Sequence, residues 1–298
     1  MRSLALQASP TAAVNDEKPF ICEYRTLWCS FPRLGDSHGL PGQGSASNAT
    51  DHSLQYLVGH ERSWIFIYER LPAPTRERTT YTQDDVVAFA ERWGDLCVGS
   101  ERLKVRDVFA QRYHAGMANL EEGVLEHWSW GGRLVLAGDA AHKFTPNQGL
   151  GFNNGIQDVV ALTNELHRAL QQQQQEDRYH DHEDAKDAGM QGLDVHEIAA
   201  AFERYQSSRL QGARDELTLS ARVTHMSAWR TSFHWFFDWW VQPYFPDWLH
   251  VWLGNWMVAQ RVSKGLVLDF VEGEELFVGS IPWVHPVKRR VAPASTKS

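Results

Sequence analysis

The sharpest chemical signature lies between residues 134 and 160, LVLAGDAAHKFTPNQGLGFNNGIQDVV. The apolar run RLVLAG reads as a strand that stops at Gly138 and Asp139. A carboxylate at a strand end can accept a hydrogen bond from a bound hydroxyl, as sugar hydroxyls are bound in nucleotide sites. Further along, Pro146, Gly149 and Gly151 allow a tight backbone path into a helix that begins near Asn153. The first N–H groups of a helix have no intrahelical partner and sit at the positive end of its dipole, so they stabilise a nearby anion. One short segment thus offers a hydroxyl acceptor and an anion-stabilising turn. An ordinary strand-to-helix turn uses the same residue types, and spacing alone leaves both readings open.

These groups need elements to hold them. ICEYRTLWCS, SLQYLV and SWIFIYER, between residues 20 and 70, are β-rich runs of strand length separated by Gly, Ser, Asn and Pro. Thr82 with Asp85 forms a capping box, and Val86, Val87, Phe89, Ala90 and Trp93 share one face of a helix over 83–93. Val105, Val108 and Phe109 give a second short helix, after which GVLEHW and RLVLAG return to strand. A buried stripe follows: Ile156, Val159, Val160, Thr163, Leu166 and Leu170. Residues 171–192, QQQQQEDRYHDHEDAKDAGMQG, are too polar to pack and read as a flexible linker. His180 and His182 within it are solvated rather than metal-bound, and no metal site is expected. A second long helix runs from Asp194 to about Ser227, with Ile198, Ala201, Phe202, Tyr205 and Leu217 inward. The fold class is α+β: a mixed or antiparallel sheet over 1–130, the turn and helix over 131–170, the linker, and a helical, Trp-rich region over 193–298.

Composition narrows the partners. A net charge of -8 over 298 residues gives no basic field, so nucleic acid is excluded as a partner. Cys22, Cys29 and Cys97 suit neither a disulfide framework nor a metal cluster, and the first ten residues hold only LAL as an apolar run. A cytoplasmic, non-secreted protein is expected. The glycine-rich 42-GQGSAS-47 lies in a loop with no helix after it and is not a phosphate-binding turn. Seven of the 13 tryptophans fall within 229–256, where Asp238, Pro243, Pro246 and Asp247 interrupt the apolar run before the ~20 residues a spanning helix needs. Interior packing of these rings is expected, as a helical cap or the wall of a lipophilic pocket. Peripheral contact with a membrane surface is the alternative.

GDAAHKFTPNQGLGFNNGIQD resembles the second flavin-contact motif of the FAD-dependent aromatic-hydroxylase superfamily. EEGVLEHWSWGGRLVLAGDAAHKFTPNQGLGFNN is similar in particular to the fungal monooxygenases and epoxidases acting on meroterpenoids and indole diterpenes. The likeness extends across CEYRTLW, WIFIYERLPAPTRERTTYT and GSIPWVHP, and covers most of residues 18–285. It implies a remnant of the FAD domain beside a substrate-side sheet, FAD as cofactor with NAD(P)H as reductant, and hydroxylation or epoxidation of a lipophilic secondary-metabolite intermediate. By that resemblance Asp139 binds the ribityl chain, while Pro146, Gly149 and Gly151 face the pyrimidine edge of the flavin. Phe152 adjoins the flavin where a small residue is usual; Leu150 replaces a common glutamine and Gln157 a common acid. Arg25, in EYR, is assigned to catalysis near the reaction site, with a plain ion-paired strand arginine as the alternative. The family's G-x-G-x-x-G unit and Asp-Gly motif have no counterpart here, and MRSLAL resembles the segment that follows the latter. The resemblance therefore implies a truncated relative, for which a complementing chain, or a redox-inactive role as lipophilic binding protein or cofactor-free cyclase or isomerase, stays open.

Overall fold

The computed structural model describes residues 1–180, 192–275 and 281–289. Helix α1 (Arg2–Ala8) precedes strands β1 (Ile21–Pro32), β2 (Gly44–Ala49), β3 (His52–Val58) and β4 (Arg62–Thr75). Helix α2 (Gln83–Arg92), the small hairpin β5 (Cys97–Val98) and β6 (Ser100–Lys104), and helix α3 (Val105–Ala110) lead into β7 (His114–Val124). A second hairpin, β8 (Ser129–Trp130) and β9 (Leu134–Val135), and the short β10 (His142–Lys143) come before the long helices α4 (Leu150–His180) and α5 (Val195–Ser227). Helices α6 (Ser232–Trp240) and α7 (Asp247–Val262) follow.

Six strands form one antiparallel sheet in the order β10-β7-β1-β4-β3-β2, with Leu27 opposite Ile67 and Thr26 between Tyr68 and Ala118. Side chains alternate between its faces. Leu27, Cys29, Phe31, Tyr56, Ile65 and Ile67 point into a dry core closed by Val86 and Phe89 of α2 and Val105 and Val108 of α3. Full burial of each large aliphatic contributes about 1.5–3 kcal/mol relative to exposure. The Thr82–Asp85 capping box is present and fixes where α2 starts. The opposite face carries Tyr24, Trp28, Gln55, Phe66 and Tyr68. A second core, around Trp128 and Tyr205 with Ala141, Ala161 and Ala213, joins α4 and α5 to the segment between β7 and β10.

Several expectations change. The strand expected at GVLEHW instead ends at Val124 and begins at His114. HAGMANLEEGV has little apolar alternation because neighbouring β1, rather than its own side chains, supplies the hydrogen bonds that make it a strand. RLVLAG keeps only Leu134–Val135 as strand. The linker expectation is corrected over 171–180: α4 runs on to His180, since Gln and Glu are good helix formers and propagation of a helix already begun needs only propensity. The stripe expected to be buried along α4 is corrected as well: Ile156, Val159 and Leu170 are exposed, and Asn154, Asp158, Ala161, Asn164 and Ala169 form the buried side, because polar partners on β10 and α5 hold that face inward. His182 and the rest of the linker to 191 lie outside the described residues. Interior packing of the tryptophan segment is also corrected, because Trp239, Trp240, Trp248, Trp252 and Trp256 are each more than half exposed on α6 and α7. The sheet itself is antiparallel throughout, and β10 carries it past residue 130. Residues 42–47 run into edge strand β2.

Candidate functional site

The strand end and the helix start meet backbone to backbone. Gly138 (φ 56) and Asp139 open a 3-10 turn, and a Cβ added at Gly155 of α4 would stand 3.7 Å from the Cα of Gly138. One turn earlier on α4, a Cβ added at Gly151 would lie 3.7 Å from Oδ1 of Asp139 and meet no other group within 4 Å. Asp139 and Gly151 are therefore neighbours, and the carboxylate makes no hydrogen bond among the described residues. Pro146–Gln148 form a second 3-10 turn, ended by Gly149 in the left-handed conformation (φ 64) that lets the chain swing into α4. Its N–H closes on the carbonyl of Pro146 at 3.0 Å. The backbone around Gly149 is open, with nothing within 4 Å of an added Cβ. An exposed carboxylate, an open glycine turn and a helix start with free N–H groups fit the ribityl and ring end of a flavin.

What holds this arrangement is a buried network around Asp158, which is fully buried. Its Oδ2 accepts the Gly138 N–H at 2.8 Å and the His142 Nε2–H at 2.6 Å, while Oδ1 accepts from Arg209 Nε at 2.8 Å. Arg209 also donates to Oδ1 of Asn154 at 2.9 Å. Burial pushes the Asp158 carboxyl up, but the donors from His142, Arg209 and Gly138 outweigh it and hold the group below the ordinary carboxylate range. One carboxylate thus ties together the strand end, β10, α4 and α5. The second turn is pinned separately. Oγ1 of Thr145 lies 2.7 Å from the hydroxyls of both Ser220 and Thr224 on α5, and Gln55 Nε2 donates to the Asn147 carbonyl at 2.8 Å. Tyr68 donates to Gln55 Oε1 at 2.9 Å, so this turn rests on the open face of the sheet. Gln157, a departure from the family pattern, donates to and accepts from the backbone of Leu266, a pairing an acid could not make.

The structure brings Asp139, Pro146, Gly149 and Gly151 to one turn-and-helix unit. Phe152 sits beside Gly151 on the first turn of α4 and is 79% exposed. Arg25 is elsewhere. It lies on the helix-covered face of β1, where Nε donates to Glu69 at 2.6 Å and the guanidinium stands 5.3 Å over the Phe89 ring. That is the ion-paired strand arginine of the alternative reading, on the opposite face of the sheet from the turn. Residues that the sequence reading missed, Gln55, Tyr68, Thr145, His142 and Asp158, sit where Arg25 does not. Two of them were visible as the His of GDAAH and the Asp of GIQD; the hydroxyls of α5 gave no signal.

A cluster of ionisable groups closes one end of the open face. Oε2 of Glu23 accepts from Arg230 at 2.9 Å and lies 3.1 Å from Nε2 of His225, and the Tyr24 ring lies against His225. Glu122, only 8% exposed, has an oxygen with no partner among the described residues. Burial, with repulsion from Glu23, pushes its carboxyl up to about 7 against the opposing pull of Arg230. The unfolded chain ionises this group near 4.5, so stability falls as pH rises from there to about 7 and stays reduced above it. Glu122→Gln is expected to stabilise the protein by about 2 kcal/mol at pH 8, after discounting for residual solvent, and to change little at pH 4. Urea unfolding at the two pH values checks this.

A family model described as FAD binding domain matches residues 99–193, which span the turn and all of α4. FAD-dependent monooxygenase SAT1 of Stachybotrys chartarum is 36% identical over 242 residues, covering 81% of this chain and 74% of that protein. The chain belongs to the FAD-dependent monooxygenase family. Family member DEP2 of Alternaria brassicicola is 30% identical over 251 residues, which are 79% of this chain but 42% of that protein. The chain thus spans about three quarters of one relative and less than half of the other. Among solved structures, CtdE in complex with FAD and a substrate has a TM-score of 0.51 at 14% identity, covering 85% of this chain and 60% of that one. The R204Q form of HpxO from Klebsiella pneumoniae, complexed with FAD, has a TM-score of 0.50 at 16% identity, covering 78% and 51%. Both share the fold of this family member.

Proposed function

We propose that this chain is the ring-binding and substrate-facing part of an FAD-dependent monooxygenase that oxygenates a lipophilic substrate by hydroxylation or epoxidation. The observation that carries the reading is the glycine turn with Asp139 beside it, joined through Gln55 to a half-open aromatic sheet face. FAD, reduced by NAD(P)H, supplies the oxygen-transferring chemistry when bound. The chain's own groups do the rest. Asp139 accepts from a ribityl hydroxyl, the N–H groups after Gly149 stabilise negative charge at the ring edge, and the Asp158 network keeps both in place.

The face opposite the dry core is where substrate belongs. Trp28 pairs across the sheet with Phe66, and its ring crowds Gly116, so that any side chain there would collide with the indole at 2.7 Å. Trp28 and Leu57 remain exposed on it. A flat, apolar platform with few hydrogen-bonding groups suits a polycyclic or prenylated hydrocarbon. Among the described residues no cluster of His, Cys, Asp and Glu could hold a metal.

Incubation of the FAD-supplemented chain with NAD(P)H, isotopically labelled dioxygen and a panel of prenylated polycyclic compounds tests the reading. Label should appear in one product, and Phe66→Ala should reduce its yield several-fold. Tight binding of such compounds without label in any product would favour the redox-inactive binding protein or cofactor-free isomerase instead.

A further inference from the structure

We infer that the hairpin of α6 and α7 lies in the headgroup boundary of a neutral lipid bilayer. Its rings face outward: Phe233, Trp239 and Trp240 on α6, and Trp248, Trp252 and Trp256 on α7, are all exposed. An exposed apolar surface of this kind marks an interaction site in a soluble fold. Between residues 231 and 260 the charged side chains are Asp238 and Asp247, with no lysine or arginine. Asp238 is already bonded, accepting from Trp229 Nε1 at 2.7 Å and from Asn48 at 3.1 Å.

Chemistry selects the occupant. Indole pairs a large apolar ring with one N–H, which suits the level between headgroups and acyl chains. Protein partners are met through a rim of polar and charged groups, and this surface offers one free charge. Arg261, in the last turn of α7 and paired with Glu216, is the hairpin's one Lys or Arg; with the net charge of -8 there is no basic face for anionic lipid, so the headgroups it matches are zwitterionic. The geometry is that of a segment lying in the plane. Among the described residues no helix is long and apolar enough to cross a membrane. The 16 residues of α7 reach about 24 Å, short of the ~30 Å hydrocarbon core. Pro243 and Pro246 separate the two helices, and the Asp238–Asn48 bond tethers the base of the hairpin to β2, the edge strand of the sheet. Lipophilic substrate dissolved in the bilayer would then arrive at the edge of the site's own sheet. That consequence rests on the monooxygenase reading; the docking itself does not.

Sedimentation of the full chain with phosphatidylcholine vesicles tests the inference. Most of the protein should pellet with the vesicles, brominated phosphatidylcholine should quench the tryptophan fluorescence, and added phosphatidylserine should not strengthen binding. The double variant Trp240→Glu and Trp252→Glu should bind at least tenfold more weakly with its melting temperature unchanged, since both rings already face solvent. Protein that stays in the supernatant would overturn the inference, as would vesicle binding equal in the double variant, or binding that grows with phosphatidylserine. A concentration-dependent dimer that the double variant dissociates, with vesicles left unbound, would assign the face to a second copy of the chain.

Discussion

Alanine at Asp158 is expected to remove about 3–5 kcal/mol of stability and to loosen the Gly138–Asp139 turn and β10 from α4 at once. The carboxylate is fully buried and accepts from Gly138 N–H, His142 Nε2 and Arg209 Nε. Removing one partner from a buried charged pair leaves the other uncompensated, and that stranded guanidinium sets the size of the loss. The Asp158→Asn change would be less damaging: the amide keeps the shape and one acceptor, but its N–H₂ must face either the arginine or the imidazole, both donors. The dependence on acid follows the same carboxylate. Because its folded value lies below the ordinary range, the stabilisation is present above the unfolded value and is lost as pH falls through the folded one. Urea midpoints of wild type, Asp158→Asn and Asp158→Ala should fall in that order at pH 7, and the gap between wild type and Asp158→Ala should close in strong acid.

Valine at Gly151 should act on binding rather than on folding. Gly151 is helical, and its added Cβ would meet only the Asp139 carboxylate at an ordinary contact distance, so the apoprotein should lose about 1 kcal/mol or less. The same methyl groups would occupy the approach to the helix-start N–H groups, and flavin affinity should drop at least tenfold. Gly149→Val is the contrasting case. At φ 64 a β-branched residue is strained whatever the space around it, costing about 1–3 kcal/mol. Paired melting and flavin-binding curves therefore separate a glycine kept for approach from one kept for conformation. Equal losses of melting temperature in both variants would mean that neither glycine serves a ligand.

Local patterns wrote much of this fold openly. Alternating apolar runs place β1, β3 and β4, the Thr82–Asp85 box starts α2, and the spacing from Ile156 to Leu170 gives the helix of α4 but not its buried face, which runs through Asn154, Asp158, Ala161 and Asn164. The long-range pairings were not legible. β7 is a strand because β1 lies beside it, and the Thr145, Ser220 and Thr224 hydroxyls meet across some seventy-five residues of chain. Arg25 shows the hazard of reading a motif without the pleat: one step along β1 moves a side chain to the other face, and the neighbours Tyr24 and Thr26 hold the face toward the turn. The tryptophans misled for a related reason. Ring content measures how much apolar surface a segment carries, whereas the side on which the rest of the chain packs decides whether that surface is covered.

Flavin fluorescence titration of the full chain with FAD and with riboflavin, beside Asp139→Ala, tests the central claim that this turn holds the ring end of the cofactor. On the proposed reading the described residues meet only ring and ribityl groups, so both flavins should bind in roughly the micromolar to millimolar range, within a few-fold of each other. Loss of a hydrogen bond to a charged group, worth about 1.5–3 kcal/mol, should weaken both by at least roughly tenfold in Asp139→Ala. Binding that Asp139→Ala leaves unchanged, or no binding of either flavin, would contradict the account.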